Sequence, residues 1–371
     1  MATNIDDIII ANESEVIVTS IDGYFKNEAI VAEFENAALL NSYTFSADGY
    51  EVFSSLNAVA QVFPTTHIVY KLAQDAFTQK TNTGVNKSAL EKLVVVQIKA
   101  TDSSFEAGLT RIAYADAYHW VCASNDKEDC ESFINYFADK RKIPHVQTSD
   151  ADVLTDTTGN IAKTLKDATK KCALYYHAIN DEGLASAQAA IHCFGTPGRI
   201  AGFYDKPSGI TVDVLTDDQK SKLDGNYVNY YTNYIGQAGS YMSRNLTAGG
   251  YLSNGTKIQK QVILDRIILN LQSAGMDALQ MKIPYDDRGG AVLEGKLKAV
   301  LRQLQQEELI KSDSVDDDGE VTKGQTLKVL SIAETKKDFI SYYSAQTFVV
   351  QATVYLALNA EKVVINLGYE V

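Results

Sequence analysis

One stretch decides how this sequence is interpreted: Lys282-Ile283-Pro284-Tyr285-Asp286-Asp287-Arg288-Gly289-Gly290. Apolar residues recur every three to four positions in 257–274 before it and in 292–310 after it, which predicts two long amphipathic helices. Pro284 and the Gly289-Gly290 pair mark the break between them. The stretch supplies no nucleophile, metal cluster or phosphate cradle. We therefore interpret it as a packing module.

Two further features precede this module. An asparagine- and tyrosine-rich run, predicted to be a turn, reads Gly225-Asn226-Tyr227-Val228-Asn229-Tyr230-Tyr231-Thr232-Asn233-Tyr234-Ile235-Gly236. The first helix carries Asp265-Arg266-Ile267-Ile268-Leu269-Asn270-Leu271. The ordered set of turn, Gly-rich loop, helix, Lys-Ile-Pro-Tyr-Asp-Asp-x-Gly and second helix resembles the carboxy-terminal part of phage contractile tail sheath proteins, in the branch of shorter myophage sheaths.

The resemblance implies a structural role without an active site or cofactor. Sheath subunits polymerise as stacked rings around a tail tube and contract to drive the tube through the host envelope for genome delivery. The implied partners are further copies of the chain, the tail tube protein, and the baseplate and tail terminator proteins. The implied location is the virion tail, assembled in the host cytoplasm.

Composition is that of a soluble globular protein. The chain has 371 residues, of which 45% are hydrophobic and 22% charged, so it is long enough for one large or two ordinary domains. A formal net charge of -13 argues against a nucleic-acid partner, because phosphates require clustered Lys and Arg. The acidic amino terminus does not fit a signal peptide, and no apolar run reaches the ~20 residues of a membrane span.

The predicted fold class is mixed α/β (α+β). Strand-like runs such as 93–98, 118–123 and 143–147 alternate with helical segments, and Ser103 is a candidate helix cap. This pattern predicts a helix-covered, partly parallel sheet domain, followed by a carboxy-terminal α+β domain of sheath type with strand-forming terminal arms.

We place the domain boundary near residue 215, where Pro207-Ser208-Gly209 and the cap-like Thr216-Asp217-Asp218 change the composition. The predicted parts are an extended arm at 1–20, an α/β domain at 21–215, a second domain at 216–360 and a strand arm at 361–371. By resemblance, 21–215 is the outer domain and 216–360 is the inner domain that lies near the tube.

Both chain ends are rich in β-branched residues, which are costly to leave in water. The residues that define these segments are Ile8, Ile9, Ile10, Val16, Ile17 and Val18 at the amino end, and Val363, Val364, Ile365 and Leu367 at the carboxy end. The resemblance implies that both segments add strands to neighbouring subunits. The alternative is an edge hairpin or an ordinary strand within the chain's own sheets.

The candidate catalytic and binding motifs of the sequence do not contradict this structural interpretation. Nucleotide-binding glycine motifs are absent, and Gly195-Thr196-Pro197-Gly198-Arg199 is an ordinary loop in which Pro197 lacks an amide donor. The five histidines have no metal-ligand spacing, although a Cys–His pair assembled across the fold stays open. The acidic run 313–320 lacks EF-hand spacing and predicts a solvated hairpin turn. The alternatives are thus an α/β enzyme, or a cytoplasmic assembly protein, with an unrecognised pocket.

The second amphipathic helix offers a candidate contact with the tail tube. Its apolar residues can pack inward; they are Val292, Leu293, Leu297, Val300, Leu301 and Leu304. Its polar face carries Glu294, Lys298, Arg302 and Gln305. A sheath must release its tube, which favours polar contacts, so Lys298 and Arg302 are predicted to meet acidic groups on the tube. The alternative is a solvated face without a partner.

Overall fold

The computed structural model describes residues 21–79, 90–112, 115–234, 244–315 and 320–359, together with the backbone of residues 3 and 4. The chain divides into two compact units. The N-terminal unit comprises Glu15–Gln261, and the C-terminal unit comprises Met1–Ser14 and Val262–Val371. The first strand, β1 (Thr3–Asn4), belongs to the C-terminal unit.

The N-terminal unit is built around one sheet. Its strands are β2 (Asn27–Glu33), β3 (Tyr50–Phe53), β4 (Lys92–Ile98), β5 (His119–Cys122), β6 (Ile143–Thr148), β7 (Ala173–Tyr176), β8 (Asn229–Tyr234) and β9 (Arg244–Ala248). Its helices are α1 (Ile21–Phe25), α2 (Leu56–Val59), α3 (Ile68–Phe77), α4 (Phe105–Thr110), α5 (Lys127–Tyr136), α6 (Asp152–Thr155), α7 (Ile161–Asp167), α8 (Leu184–His192) and α9 (Asp217–Gly225), with 3-10 turns at Asn36–Ala38 and Leu40–Ser42.

The eight strands lie in the order β3-β4-β2-β5-β6-β7-β8-β9. Pairing is parallel from β4 through β8, whereas the edge strands β3 and β9 run antiparallel to their neighbours. The chain therefore starts its sheet in the interior, at β2, and adds strands on both sides. Parallel neighbours need crossover connections, which explains why helices separate most of these strands in the sequence.

One sheet face carries a continuous apolar core. Its residues alternate along the strands, as Ala29 and Val31 do in β2 and Trp120 and Cys122 do in β5, and pack against Phe133 and neighbouring apolar side chains.

Helix starts on the surface are capped by side chains. Asp126 accepts from the amides of Glu128 and Asp129, and Ser104 caps α4. The predicted cap at Ser103 is thus wrong by one residue.

The C-terminal unit combines a helical hairpin with a small sheet. Its helices are α10 (Ile258–Gln280), α11 (Asp287–Gln306), α12 (Ile332–Asp338) and α13 (Ile340–Ser344), and its later strands are β10 (Ser314–Val315), β11 (Val321–Thr322), β12 (Gln325–Val329) and β13 (Val350–Val354). The sheet order is β1-β13-β12, with antiparallel pairing throughout. Leucines of α11 pack with Ile263, Ile267 and Leu271 of α10 and with Leu327 and Val329 of β12.

The Lys282–Gly290 stretch is a helix start that excludes larger side chains. The Asp286 side chain accepts from the amide of Gly289 at 2.9 Å and caps α11. A β-carbon on Gly289 would lie 1.9 Å from the carbonyl oxygen of Pro284, and Gly290 packs against Phe348. Close packing therefore requires glycine at position 289, whereas position 290 leaves room for a β-carbon at ordinary contact distance.

The fold class predicted from the sequence is confirmed: a helix-covered, largely parallel sheet is followed by an α+β unit. The two long helices are present, and the strands flanking the acidic run pair antiparallel, as a hairpin requires. Residues 316–319 of that run lie outside the described residues.

One expectation needs correction. The tyrosine-rich run is not a turn, since Asn229–Tyr234 forms strand β8, which pairs with β7 and β9. Strands β8 and β9 follow residue 215 in sequence and complete the sheet that begins with β2.

Two of the three glycines of α11 give a matched pair of substitutions. Gly289→Ala is expected to destabilise the C-terminal unit by roughly 1–3 kcal/mol, because the Pro284 carbonyl must move. Gly295→Ala, in the same helix with nothing within 4 Å of the new β-carbon, is expected to stabilise it by up to about 1 kcal/mol. Thermal unfolding monitored by circular dichroism measures both. Equal effects from the two substitutions would contradict the packing argument.

Candidate assembly interface

The outward side of α11 is a surface of small and cationic side chains. Leu293, Leu297, Leu301 and Leu304 are buried, as their predicted spacing requires. Val292 is 44% exposed, so its prediction as an inward residue is wrong. Exposed residues on the helix include Ala291, Gly295, Ala299 and Arg302. This side of α11 is therefore accessible within the C-terminal unit.

Lys298 and Arg302 differ in how free they are to bind a partner. The Lys298 ammonium donates to Glu294 Oε1 at 2.6 Å, one helical turn away, and its side chain is 37% exposed. Glu294 Oε2 in turn accepts from the amide of Val329 at 2.9 Å. Arg302 is exposed, and no side-chain partner for it is found among the described residues. Arg302 is thus the more available cation.

A cleft of about 320 Å³ lies beside this surface. It is lined on one side by Asp287, Gly290, Ala291, Glu294, Gly295 and Lys298, and on the other by Lys328, Val329, Leu330, Ser331 and Glu334. Lys328 donates to Glu334 Oε1 at 2.6 Å. The cleft is therefore walled by two internal ion pairs, Glu294–Lys298 and Lys328–Glu334.

These ion pairs keep the carboxylates of Glu294 and Glu334 ionised. The hydrogen bond from Lys298, followed by that from the Val329 amide, lowers the pKa of Glu294. The hydrogen bond from Lys328, followed by those from Ser331, lowers the pKa of Glu334 to about 2. General acid catalysis near neutral pH needs a carboxyl with a raised pKa, so these groups suit binding rather than proton transfer.

Strand β12 forms one edge of the small sheet, with β13 on its other side. The Leu330 amide donates to Val349 O, whereas the Val329 amide donates to Glu294. Successive amides point to opposite sides of a strand, so Leu327 also presents its backbone groups away from β13. Residues 3 and 4 of β1 pair with Thr353 and Val354 of β13 on the opposite edge.

A buried histidine network in the N-terminal unit has the residue types of a catalytic centre. His177 is fully buried, with Nδ1 2.9 Å from Asp213 Oδ2 and Nε2 3.1 Å from Glu182 Oε2. The Thr211 hydroxyl donates to Glu182 Oε1 at 2.6 Å rather than to the imidazole. Both ring nitrogens are therefore engaged by carboxylates, which leaves neither available as a base for a nucleophile.

The described residues contain no group of His, Cys, Asp and Glu side chains that could hold a metal ion. Among the helices that the structure describes, none has the length and apolarity to cross a membrane.

The fold of the whole chain matches that of a chain in a solved structure. A chain in the cryo-EM structure of the anti-feeding prophage (AFP) baseplate superposes with a TM-score of 0.62 over 100% of both chains, at 11% sequence identity. The fold is shared. A crystal structure of a sheath tail protein from Listeria innocua matches with a TM-score of 0.45 at 10% identity, covering 82% of this chain and 91% of that chain. No family model and no curated protein matches the sequence.

The predicted site residues fall into two groups. Lys298 and Arg302 lie on α11, where Lys298 is joined to Glu294 and Arg302 lies about one turn further along. The predicted arm residues lie outside the described residues; they are Ile8, Ile9, Ile10, Val16, Ile17, Val18, Val363, Val364, Ile365 and Leu367. Sequence reasoning missed the Glu294–Val329 and His177–Asp213 contacts, because partners more than thirty residues apart leave no local spacing signal.

The His177 network predicts a pH dependence of stability. Burial opposes protonation of the imidazole, but its hydrogen bonds to Asp213 and Glu182 outweigh burial and raise the pKa of His177 above 6.5. The protonated ring therefore stabilises the fold fully below pH ~6.5, and this contribution is lost as pH rises through the raised pKa.

We expect His177→Gln to cost about 2–4 kcal/mol at pH 6 and distinctly less at pH 9. Urea unfolding followed by the fluorescence of Trp120, the chain's only tryptophan, measures the loss at both pH values. His67→Asn is the control, since Asn can replace the His67 side chain as the cap of α3. An identical loss at pH 6 and pH 9 for His177→Gln would contradict a charged imidazole.

Proposed function

We propose that this chain is a structural subunit of a phage-type contractile tail, polymerising as a sheath around a tail tube. The observation that carries the proposal is the fold match over the full length of a chain in the AFP baseplate structure. The ordered sequence features from the tyrosine-rich run to α11 support it independently. Contraction, passage of the tube through the host envelope and genome delivery follow from this assignment.

The proposed partners are those of a tail sheath. They are further copies of the chain in stacked rings, a tail tube protein, and baseplate and tail terminator proteins. The subunit would be made in the host cytoplasm and act in the virion tail. Within this proposal, residues 21–215 form the outer domain and residues 216–360 form the domain near the tube.

We propose that strand exchange links the subunits. The edge of β12 directs the backbone groups of Leu327 away from β13, so it can accept an added strand. Residues 3 and 4 pair with β13 of the same chain, so this part of the amino-terminal segment belongs to the chain's own sheet. The segments proposed to pair with neighbours are 5–20 and 361–371.

The enzyme alternative has less support. Glu294 and Glu334 of the cleft have lowered pKa values, and both nitrogens of His177 are bound to carboxylates. A cytoplasmic assembly protein shares the composition but does not account for the match to a baseplate chain. Negative-stain microscopy of the purified protein separates these classes, because only a sheath subunit is expected to form tubes or rings.

The carboxy-terminal segment gives a direct test of strand exchange. A chain ending at Ala360 is expected to remain folded and soluble but to form no tubes, because the missing strand belongs to a neighbour's sheet. Circular dichroism checks folding and negative-stain microscopy checks assembly. Polymerisation equal to that of the full chain would refute the exchange, and loss of folding would favour a strand within the chain's own sheet.

The tube contact is tested by charge reversal on α11. Arg302→Glu is expected to weaken co-assembly with tail tubes about fivefold to tenfold, and adding Lys298→Glu is expected to weaken it further, since each removes one attraction and adds one repulsion. Co-sedimentation with tubes at moderate salt measures both. Lys337→Glu, on the exposed surface of α12, is the control. Co-assembly of the double variant at the level of this control would exclude the contact.

A further inference from the structure

One side chain of α11 covers part of the open edge of the small sheet. On the β13 side of β12, the Gly324 carbonyl and the Leu330 amide are hydrogen-bonded to residues that flank β13. Bonding alternates along an antiparallel strand, so the residues that direct their backbone groups outward are Gln325, Leu327 and Val329. The outward amide of Val329 donates to Glu294 Oε2 at 2.9 Å. Glu294 therefore occupies the position that a backbone carbonyl of an added strand would take.

Glu294 can leave this position without losing its charged partner. Its Oε1 accepts from the Lys298 ammonium at 2.6 Å, and the side chain is 27% exposed. It also lines the cleft of about 320 Å³, so space is open beside it. Rotation of the side chain into the cleft breaks the bond to Val329 and keeps the bond to Lys298. The bond to the Val329 amide is thus the one that an incoming strand has to replace.

The described parts of the chain do not cover this edge from either end. Residues 3 and 4 pair with β13 on its opposite side. Residues 309–311 bond to residues 355–357 and so continue the line of β12 alongside the end of β13. They lie between residues 355–357 and the side of the sheet on which an added strand would lie. A second copy of the chain is therefore the simpler source of that strand.

The sequence of the carboxy-terminal segment matches the two sides of β12. Leu327 and Val329 are buried, whereas Lys328 between them is exposed. Residues 361–371 alternate in the same way, with Val363, Ile365, Leu367 and Tyr369 on one side and Val364, Asn366, Gly368 and Glu370 on the other. A strand formed by this segment would continue both the apolar side and the polar side of the sheet. The segment 5–20 contains three consecutive isoleucines, 8–10, and does not alternate there.

We propose that Glu294 is a removable cap of the β12 edge: it holds the Val329 amide in the free subunit, and the carboxy-terminal segment of a second copy replaces it with a backbone carbonyl. The inference rests on the strand exchange proposed above and adds a control on it. An uncovered edge strand pairs with any extended chain that it meets. The cap disfavours such pairing, and a segment that forms several backbone bonds at once displaces it.

A binding measurement on the full-length chain tests the cap. The probe is a fluorescein-labelled synthetic peptide of residues 361–371, and fluorescence anisotropy gives its Kd at protein concentrations too low for self-association. A hydrogen bond to a charged group must break before the peptide can pair, so Glu294→Ala is expected to lower the Kd about tenfold to a hundredfold. If Glu294→Ala does not fold, Glu294→Gln keeps an uncharged acceptor and should lower the Kd about threefold.

Two further variants locate the effect. Asp218→Ala breaks the ion pair with Lys222 of α9, which has the same i,i+4 spacing and the same 2.6 Å distance but caps no strand, so the Kd should not change. Gln325→Pro removes an outward amide from β12 and leaves the bonds to β13 in place, because proline is tolerated on the open side of an edge strand. It should raise the Kd at least tenfold. A peptide of the same composition in scrambled order controls for non-specific binding.

The outcomes separate the cap from the strand exchange. A peptide that binds the wild-type chain and Glu294→Ala equally would overturn the cap and leave strand exchange standing. Binding that Gln325→Pro does not weaken would place the peptide elsewhere and overturn the proposal. Absence of binding to the wild-type chain and to Glu294→Ala alike would overturn both the cap and the exchange of the carboxy-terminal strand. The measurement needs no tubes, so a failure of the proposed function would show separately, in negative-stain microscopy.

Discussion

The central position of strand β2 determines how the rest of the N-terminal unit is arranged around it. It pairs on both sides, with β4 and β5, and six of its seven residues are buried. A strand in that position needs cover on both faces, which helices from crossover connections provide. On one face the cover is an apolar core. On the other, α8 is built largely from alanines that let it approach closely, and this closeness seals Glu28 and three histidines away from water.

The C-terminal unit depends on a different constraint, close approach of backbone to backbone. Gly289 lies against the Pro284 carbonyl, and a β-carbon on Gly324 would lie 1.7 Å from the Lys311 carbonyl. These two contacts fix where α11 starts and where β12 starts. Glu294 then joins the two elements through the Val329 amide. The candidate interface on α11 is thus held by contacts made behind it.

The parts of the fold that sequence reasoning predicted are those encoded locally. Period-3.6 apolar spacing indicated α10 and α11, and Pro284 and the glycine pair indicated the break between them. Strand order is not local. Nothing within Asn229–Tyr234 indicates that it pairs with β7 more than fifty residues earlier, so the sequence predicts a turn where the structure has a strand. The candidate site divides in the same way: Lys298 and Arg302 follow from helix periodicity, whereas Glu294 bound to Val329, and the His119–His145 contact, arise only from tertiary packing.

The four cysteines have a practical consequence. Cys122, Cys130, Cys172 and Cys193 are all buried and unpaired, and burial raises the pKa of Cys122, Cys172 and Cys193 well above its usual range. Thiol reagents attack the thiolate, so the native protein should be inert to maleimides. A cysteine introduced at an exposed position would then be the single reactive thiol, and fluorophores or cross-linkers could be attached there without first removing the natural ones.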